Sequence, residues 1–191
     1  QNEISKINKL KIFVSSDNFF SFKNVKVRDL IFENANFDLN KKNYNFFIKL
    51  LDKSFEDGNL IIKDSNIFFR NFKDEVLFIN KILKVKYYFD PKELKNYFYS
   101  NNEIFNIPFS MESFFNEDES KIYTNINLNL MKLRIENELT LNNEKKFGKS
   151  DLIFNKLKRN LEYQIENNYF KFHIFDKLNQ PTITYKGEFN F

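Results

Sequence analysis

Cysteine and tryptophan are absent from this sequence, histidine occurs once, and glycine and proline occur three times each. Without cysteine there is no disulfide, no thiolate metal site and no cysteine nucleophile in the chain. The lone imidazole, His173, sits between Phe172 and Ile174 on an apolar alternation. One histidine with neither cysteine nor a second histidine is not a metal site. Gly58, Gly148 and Gly187 stand apart from one another, so no glycine-rich phosphate loop exists. No nucleophile elbow is present either. Scarce glycine and proline also argue against disorder, and against loops rich in special backbone geometry. No run approaches the roughly 18 uninterrupted apolar residues of a membrane helix.

Charge of one sign is also in short supply. The net charge is +4, from 30 Lys plus Arg against 26 Asp plus Glu, and the excess is spread along the chain. That distribution lacks the clustered basic footprint of a nucleic-acid binder, so no nucleic-acid partner is expected. The acidic triplet Glu117-Asp118-Glu119 lacks the spacing and glycine of a calcium loop and is read as a solvated hairpin turn. Nothing identifies an enzyme, and no metal or cofactor is expected. The chain starts at Gln1 and closes on the strand-like YKGEFNF, and it is read as an excerpt of a longer protein.

What the sequence has is aromatic residues, 26 Phe and 9 Tyr, and alternation. Successive side chains on a strand point to opposite faces, so alternating apolar and polar residues mark strands with one greasy side. Leu10, Ile12 and Val14 keep this period, as do Val25 with Val27, and Ala35, Phe37 and Leu39. From the Asp57-Gly58 turn onward the period strengthens. Leu60 and Ile62 share a face, Lys63-Asp64-Ser65-Asn66 reads as a turn, and Ile67 and Phe69 share the next face. Leu83, Val85, Tyr87 and Phe89 follow, and then Phe105, Ile107, Phe109 and Met111. NVKVRDLIFENANF (24–37) echoes NLIIKDSNIFFRN (59–71), which suggests a repeated strand-turn-strand unit aligned on Arg28-Asp29 and Lys63-Asp64.

Two stretches break the strand period. Tyr44, Phe47, Ile48 and Leu51 recur at helical spacing behind Asn43, which predicts a short amphipathic helix over 43–53. Asp90-Pro91-Lys92-Glu93 carries helix-start signals and predicts a short helix over 91–99. Beyond Lys121 the pattern is strand after strand, with a slip of phase near Leu130–Lys132 that calls for a bulge or turn. Asn142 to Ser150 reads as a connection. Turn signals about every ten residues give a mostly β fold, an antiparallel meander.

A one-sided sheet must cover its greasy face. It can do so with its own chain, as a closed sandwich or small barrel serving a structural or adhesion role. Alternatively it curls into a groove whose occupants are acyl chains, each buried methylene contributing about 0.8 kcal/mol. An outer-membrane barrel also alternates, but the helical stretch at 43–53 interrupts that pattern.

Residues 43–115 resemble the AsmA-like family of bacterial envelope proteins, which includes TamB-like relatives. The likeness lies in the order YNFFIKLLDKSF, DGNLIIKDSNIFFRN, LFINKILKVKYYF and IFNIPFSMESFF. Gly58, Leu60, Ile62, Asp64, Ile67 and Phe69 match the family's hairpin, and Pro108, Phe109 and Met111 its last strand; Ser65 departs from the pattern, where glycine is usual. The resemblance implies an elongated, twisted β-groove in the periplasm, tethered to the inner membrane by an anchor outside the excerpt. It implies phospholipid moving toward the outer membrane, with a possible partner there. The lining it implies is Leu60, Ile62, Ile67, Phe69, Leu83, Val85, Tyr87, Phe89, Phe105, Ile107, Phe109 and Met111, which would solvate acyl chains and do no covalent chemistry.

Overall fold

The computed structural model describes residues 5–16, 25–40, 42–43, 58–71, 73–116, 118–141, 145–166, 169–175 and 185–190. The chain divides into two compact units, Gln1–Pro108 and Phe109–Phe191. The described residues of both are almost all in strands, as the alternation requires.

Unit 1 carries β1 (Ser5–Ser16), β2 (Val25–Leu39), β3 (Asn59–Arg70), β4 (Val76–Asp90) and β5 (Lys95–Ile104), neighbours in the sheet in chain order. Among the described residues no ladder joins β1 back to β5, so the unit is an open sheet and not a closed barrel. The expected all-antiparallel meander is corrected at one place. β2 and β3 pair in parallel, Leu30 with Leu60, Ile31 with Ile61, Phe32 with Ile62, Phe37 with Ile67 and Leu39 with Phe69. A parallel pair needs a crossover of a dozen residues or more, and the stretch between Leu39 and Asn59 supplies it. The echo is not the expected strand-turn-strand unit: each copy is one continuous strand, and the two pair side by side on a different alignment. Residues 30 apart stand side by side, Asn66 Nδ2 donating to Asn36 Oδ1 at 3.0 Å and Asn59 Nδ2 to Asp29 Oδ1 at 2.6 Å.

The expected turn at Lys63–Asn66 is instead a kink inside continuous β3. Asp64 takes φ 48°, and its neighbour across the ladder, Asn34, takes φ 55°. The ladder skips a step at this level in every pair of the unit: around Asn8 and Asn34, around Asp64 and Ser65, and at Leu83. One crease therefore crosses four strands. Asn and Asp tolerate the left-handed region better than other residues with side chains, which is why they sit there.

The helix expected over 91–99 is not formed. Asp90 Oδ1 does accept the N–H groups of Lys92 and Glu93, as an N-cap would. Leu94 then turns to φ 54°, and the chain reverses so that Lys95 pairs with Asp90 and Tyr97 with Tyr88. The antiparallel ladder with β4 outweighs one or two helical turns, because a helix that short is costly to nucleate. The helix expected over 43–53 lies outside the described residues after Asn43.

Unit 2 holds nearly all of β6 (Ile107–Asn116), then β7 (Lys121–Leu128), β8 (Leu133–Leu141), β9 (Lys145–Phe154), β10 (Leu157–Glu166), β11 (Tyr169–Phe175) and β12 (Tyr185–Asn190). Every pairing from β6 to β12 is antiparallel. The phase slip is a 3-10 turn over Asn129–Met131 closed by Lys132 at φ 50°. The expected connection over 142–150 is corrected, because β9 already begins at Lys145.

Scarce glycine does not keep special backbone geometry out. Among the described residues, ten other than glycine take positive φ, and none of the glycines does. Phe105-Asn106 and Asn155-Lys156 each form a two-residue hairpin loop with both residues at positive φ, the requirement of a type I′ turn.

Candidate functional site: the apolar face of each unit

Ladder partners lie on the same side of a sheet, so the register sorts each unit into two faces. In unit 1, Leu60 faces Tyr87 and Ile62 faces Val85; Phe69 stacks on Phe78 with centroids 4.3 Å apart. Leu30, Phe32, Phe37 and Leu39 extend this side onto β2, and Leu10 and Ile12, opposite Phe32 and Leu30, carry it to β1. The other side carries ion pairs, beside apolar neighbours such as Ile31 with Ile61 and Phe68 with Ile79. Lys9 and Lys11 hold Glu33 at 2.9 and 2.6 Å, Arg70 holds Asp38 at 2.5 Å, and Lys81 reaches Glu103 at 3.7 Å. Two lysines beside one carboxylate lower the Glu33 pKa to about 2. One side is thus the more apolar and the drier, and the other carries the charge.

Burial on the dry side is uneven. Leu60, Ile82, Val85 and Tyr87 are buried, Ile82 with 1 % of its surface exposed. At β1 the same side opens, with Leu10 51 % and Ile12 55 % exposed. Within this layer Asn102 Nδ2 donates to Ser100 Oγ at 2.7 Å, while the buried Oδ1 atoms of Asn80 and Asn102 have no hydrogen-bond partner.

The twelve residues expected to line a groove are placed as follows. Leu60, Ile62, Ile67 and Phe69 on β3 and Val85 and Tyr87 on β4 fall on the apolar side of unit 1, with half-buried Phe89 opposite Asn96. Leu83 does not join them. It is the extra residue between Ile82, opposite Asn102, and Lys84, opposite Asn101, and it is 41 % exposed. The bulge shifts the parity of β4, so Ile82 takes the inward place that strict alternation gave to Leu83. Phe105 is a turn residue and not part of a strand, with φ 51° and most of its surface exposed, its ring tilted against Phe78 at 6.3 Å. Ile107, Phe109 and Met111 are half-buried on β6, and Met111 lies opposite Ile126 in unit 2.

Unit 2 repeats the division, and of its apolar rows only Met111 was among the expected lining residues. Met111, Ile126, Ile135 and Leu152 form one cross-strand row, and Phe115, Ile122, Leu139, Gly148, Tyr163 and Phe172 another. Between them runs a polar row, Ser113, Thr124, Asn137 and Ser150. Ser113 Oγ and Thr124 Oγ1 are 2.9 Å apart, while Asn137 Oδ1 accepts from Ser150 Oγ at 2.6 Å and from Tyr163 Oη at 2.9 Å. Burial raises the Tyr163 pKa above the usual phenol value. The Tyr163 ring covers Gly148, where an added Cβ would lie 1.9 Å from a ring carbon.

The opposite, charged face of unit 2 holds a concavity of about 570 Å³ lined by Phe114, Tyr123, Glu136, Glu138, Asp151 and Glu162 among others. Each of these carboxylates already has a cation: Arg134 for Glu136, Lys121 for Glu138, Lys158 for Asp151 and Lys149 for Glu162. The arrangement is a self-neutralised ladder, not an open ligand set. Among the described residues no group of three or more His, Asp or Glu is placed to hold a metal ion. His173 lies in the ladder between Glu162 and Lys186. No protein-family model, curated protein or solved structure matches the chain.

Proposed function

We propose that the apolar sheet face of each unit holds the acyl chains of phospholipid, and that the protein does no covalent chemistry. The observation that carries this reading is the division of faces in unit 1. The apolar side runs from Tyr87 on β4 through Leu60 and Leu30 to Ile12, and stays open at β1, while the charged residues and their ion pairs lie on the reverse side. A face that is apolar and partly exposed gains from an apolar guest, at about 25 cal/mol for each Å² covered. The resemblance of residues 43–115 to AsmA-like proteins supports the same reading. In this reading the protein works in the bacterial periplasm, tethered to the inner membrane and passing phospholipid toward a partner at the outer membrane.

A second reading, a structural or adhesion module whose face is packed by its own chain, is favoured by the burial of Ile82, Val85 and Tyr87. The two are separated at Leu10 and Ile12, which are half-exposed, so Asp is tolerated there by the fold. Protein purified without detergent is extracted and its lipid measured by mass spectrometry. The acyl-chain reading expects co-isolated phospholipid that falls several-fold in the Leu10→Asp, Ile12→Asp variant, with an unchanged circular-dichroism melt. Absence of lipid from the unaltered protein refutes it.

A further inference from the structure

We propose that the end of unit 1 formed by residues 12–14 of β1 and 25–27 of β2 docks onto an anionic lipid surface. Three observations lead there. Exposure of Ile7, Leu10, Ile12 and Val14 on β1 rises toward this end, from 38 % at Ile7 to 58 % at Val14, and Val27, opposite Val14, is 53 % exposed. A groove wall would need apolar residues on one side only. Here Phe13, which alternates to the other side opposite Asp29, is also well exposed, and the ladder is irregular between Phe13 and Val14. A strand end that is apolar on both sides suits a medium that surrounds it, as the headgroup–acyl boundary of a bilayer does.

Charge selects the kind of surface. Residues 5–16 and 25–33 carry Lys6, Lys9, Lys11, Lys26 and Arg28 against two carboxylates, Asp29 paired with Arg28 and Glu33 shared by Lys9 and Lys11, so the region stays net positive. Basic side chains beside inserted apolar ones are attracted to anionic headgroups. The same lysines oppose a second copy as the occupant, because two β1 strands brought edge to edge would set Lys6, Lys9 and Lys11 against their own kind. The proposal rests on the acyl-chain reading in naming the membrane that loads the apolar face; docking itself does not require that lipid be retained.

The absence of tryptophan makes the test direct. Val14→Trp places a single reporter at the proposed contact, Val27→Trp repeats it on the paired strand, and Leu157→Trp places one on an exposed position of unit 2. Folded variants, checked by circular dichroism, are mixed with phosphatidylglycerol–phosphatidylcholine vesicles or with phosphatidylcholine alone, the acyl chains being brominated. The expected result is blue-shifted, bromine-quenched emission at 14 and 27 with the anionic vesicles, several-fold stronger than at 157 and weakened by salt. Unshifted emission at 14 and 27 overturns the proposal. So does equal quenching at all three positions, or a blue shift that depends on protein concentration without vesicles, which would mean a second copy. Because lipid extraction reads retention and quenching reads docking, the failure of one is distinguishable from the failure of the other.

Discussion

The main-chain N–H of Ala35 donates to the hydroxyl of Ser65 at 3.0 Å, and that hydroxyl donates in turn to the Lys63 carbonyl at 2.7 Å. The pair sits where the parallel ladder of β2 and β3 skips a step, so the side chain replaces a lost backbone partner. Both residues are fully buried. Ser65→Ala leaves the Ala35 N–H without its acceptor and is expected to cost about 1–3 kcal/mol. Urea unfolding followed by circular dichroism measures it. A Ser65→Ala midpoint equal to that of the unaltered protein would show that the hydroxyl is dispensable at the crease.

Gly148 is required by a ring and not by its own backbone, since its φ is ordinary. Gly148→Ala drives a methyl group into Tyr163, which must swing out and give up its bond to Asn137 and its stacking on Phe170 at 5.3 Å. Overpacking of this kind costs roughly 1–3 kcal/mol. The steric account makes a further demand: in a Tyr163→Ala background the same Gly148→Ala change is nearly neutral. A double-mutant cycle by urea unfolding reads the coupling, and additive effects would exclude the ring as the cause.

How far the sequence could be read follows from which rules are local. Alternation put Leu60 with Ile62, Ile67 with Phe69 and Val85 with Tyr87, because period two is a property of each segment alone, but Leu60 and Ile67 differ in parity and share a side of β3 only through the crease at Asp64. Leu83 broke the rule through a bulge, which is set by the neighbouring strand and leaves no mark in its own residues. Phe105 looked like strand because a bulky aromatic seldom occupies a positive-φ turn. Lys63–Asn66 looked like a turn because its residues are turn formers, and the left-handed backbone at Asp64 is indeed there, but pairing with β2 on both sides of the kink keeps β3 one continuous strand. The Asp90 cap was legible and its hydrogen bonds form, yet pairing with β4 decided what followed. Parallel pairing itself was hidden in a repeat whose most obvious alignment, basic residue then Asp, is not the one the ladder uses.

The Lys9–Glu33–Lys11 cluster ties β1 to β2 and gives a pH dependence of defined sign. Both ammonium groups bond to the carboxylate and lower its pKa from 4.5 to about 2. A carboxyl whose folded pKa is depressed stabilises the fold above its unfolded value and loses that contribution as pH falls toward the folded one. Resistance to urea should therefore fall between pH 4.5 and about 2 more steeply in the unaltered protein than in Glu33→Gln. High salt should narrow the difference, since the group is near the surface. Parallel curves for the two proteins across that window would mean the unfolded chain keeps the same cluster.

Asn155 and Lys156 close the hairpin between β9 and β10 with φ 45° and 73°, and Asn155 N–H also donates to the Lys132 carbonyl at 3.1 Å. Asn is well suited to the first position of such a turn, and Lys is not suited to the second, where glycine is preferred. A residue with a Cβ pays roughly 1–2 kcal/mol in the left-handed region, while glycine loses about 0.5–1 kcal/mol more backbone freedom on folding. The difference favours Lys156→Gly by a few tenths to about 1 kcal/mol. Lys156→Val tests the same geometry from the other side, because a β-branched residue at positive φ is strained further. Thermal melts should rank the three proteins Gly above Lys above Val at position 156. A glycine variant that melts below the unaltered chain would mean that the lysine side chain contributes more to this turn than its backbone strain costs.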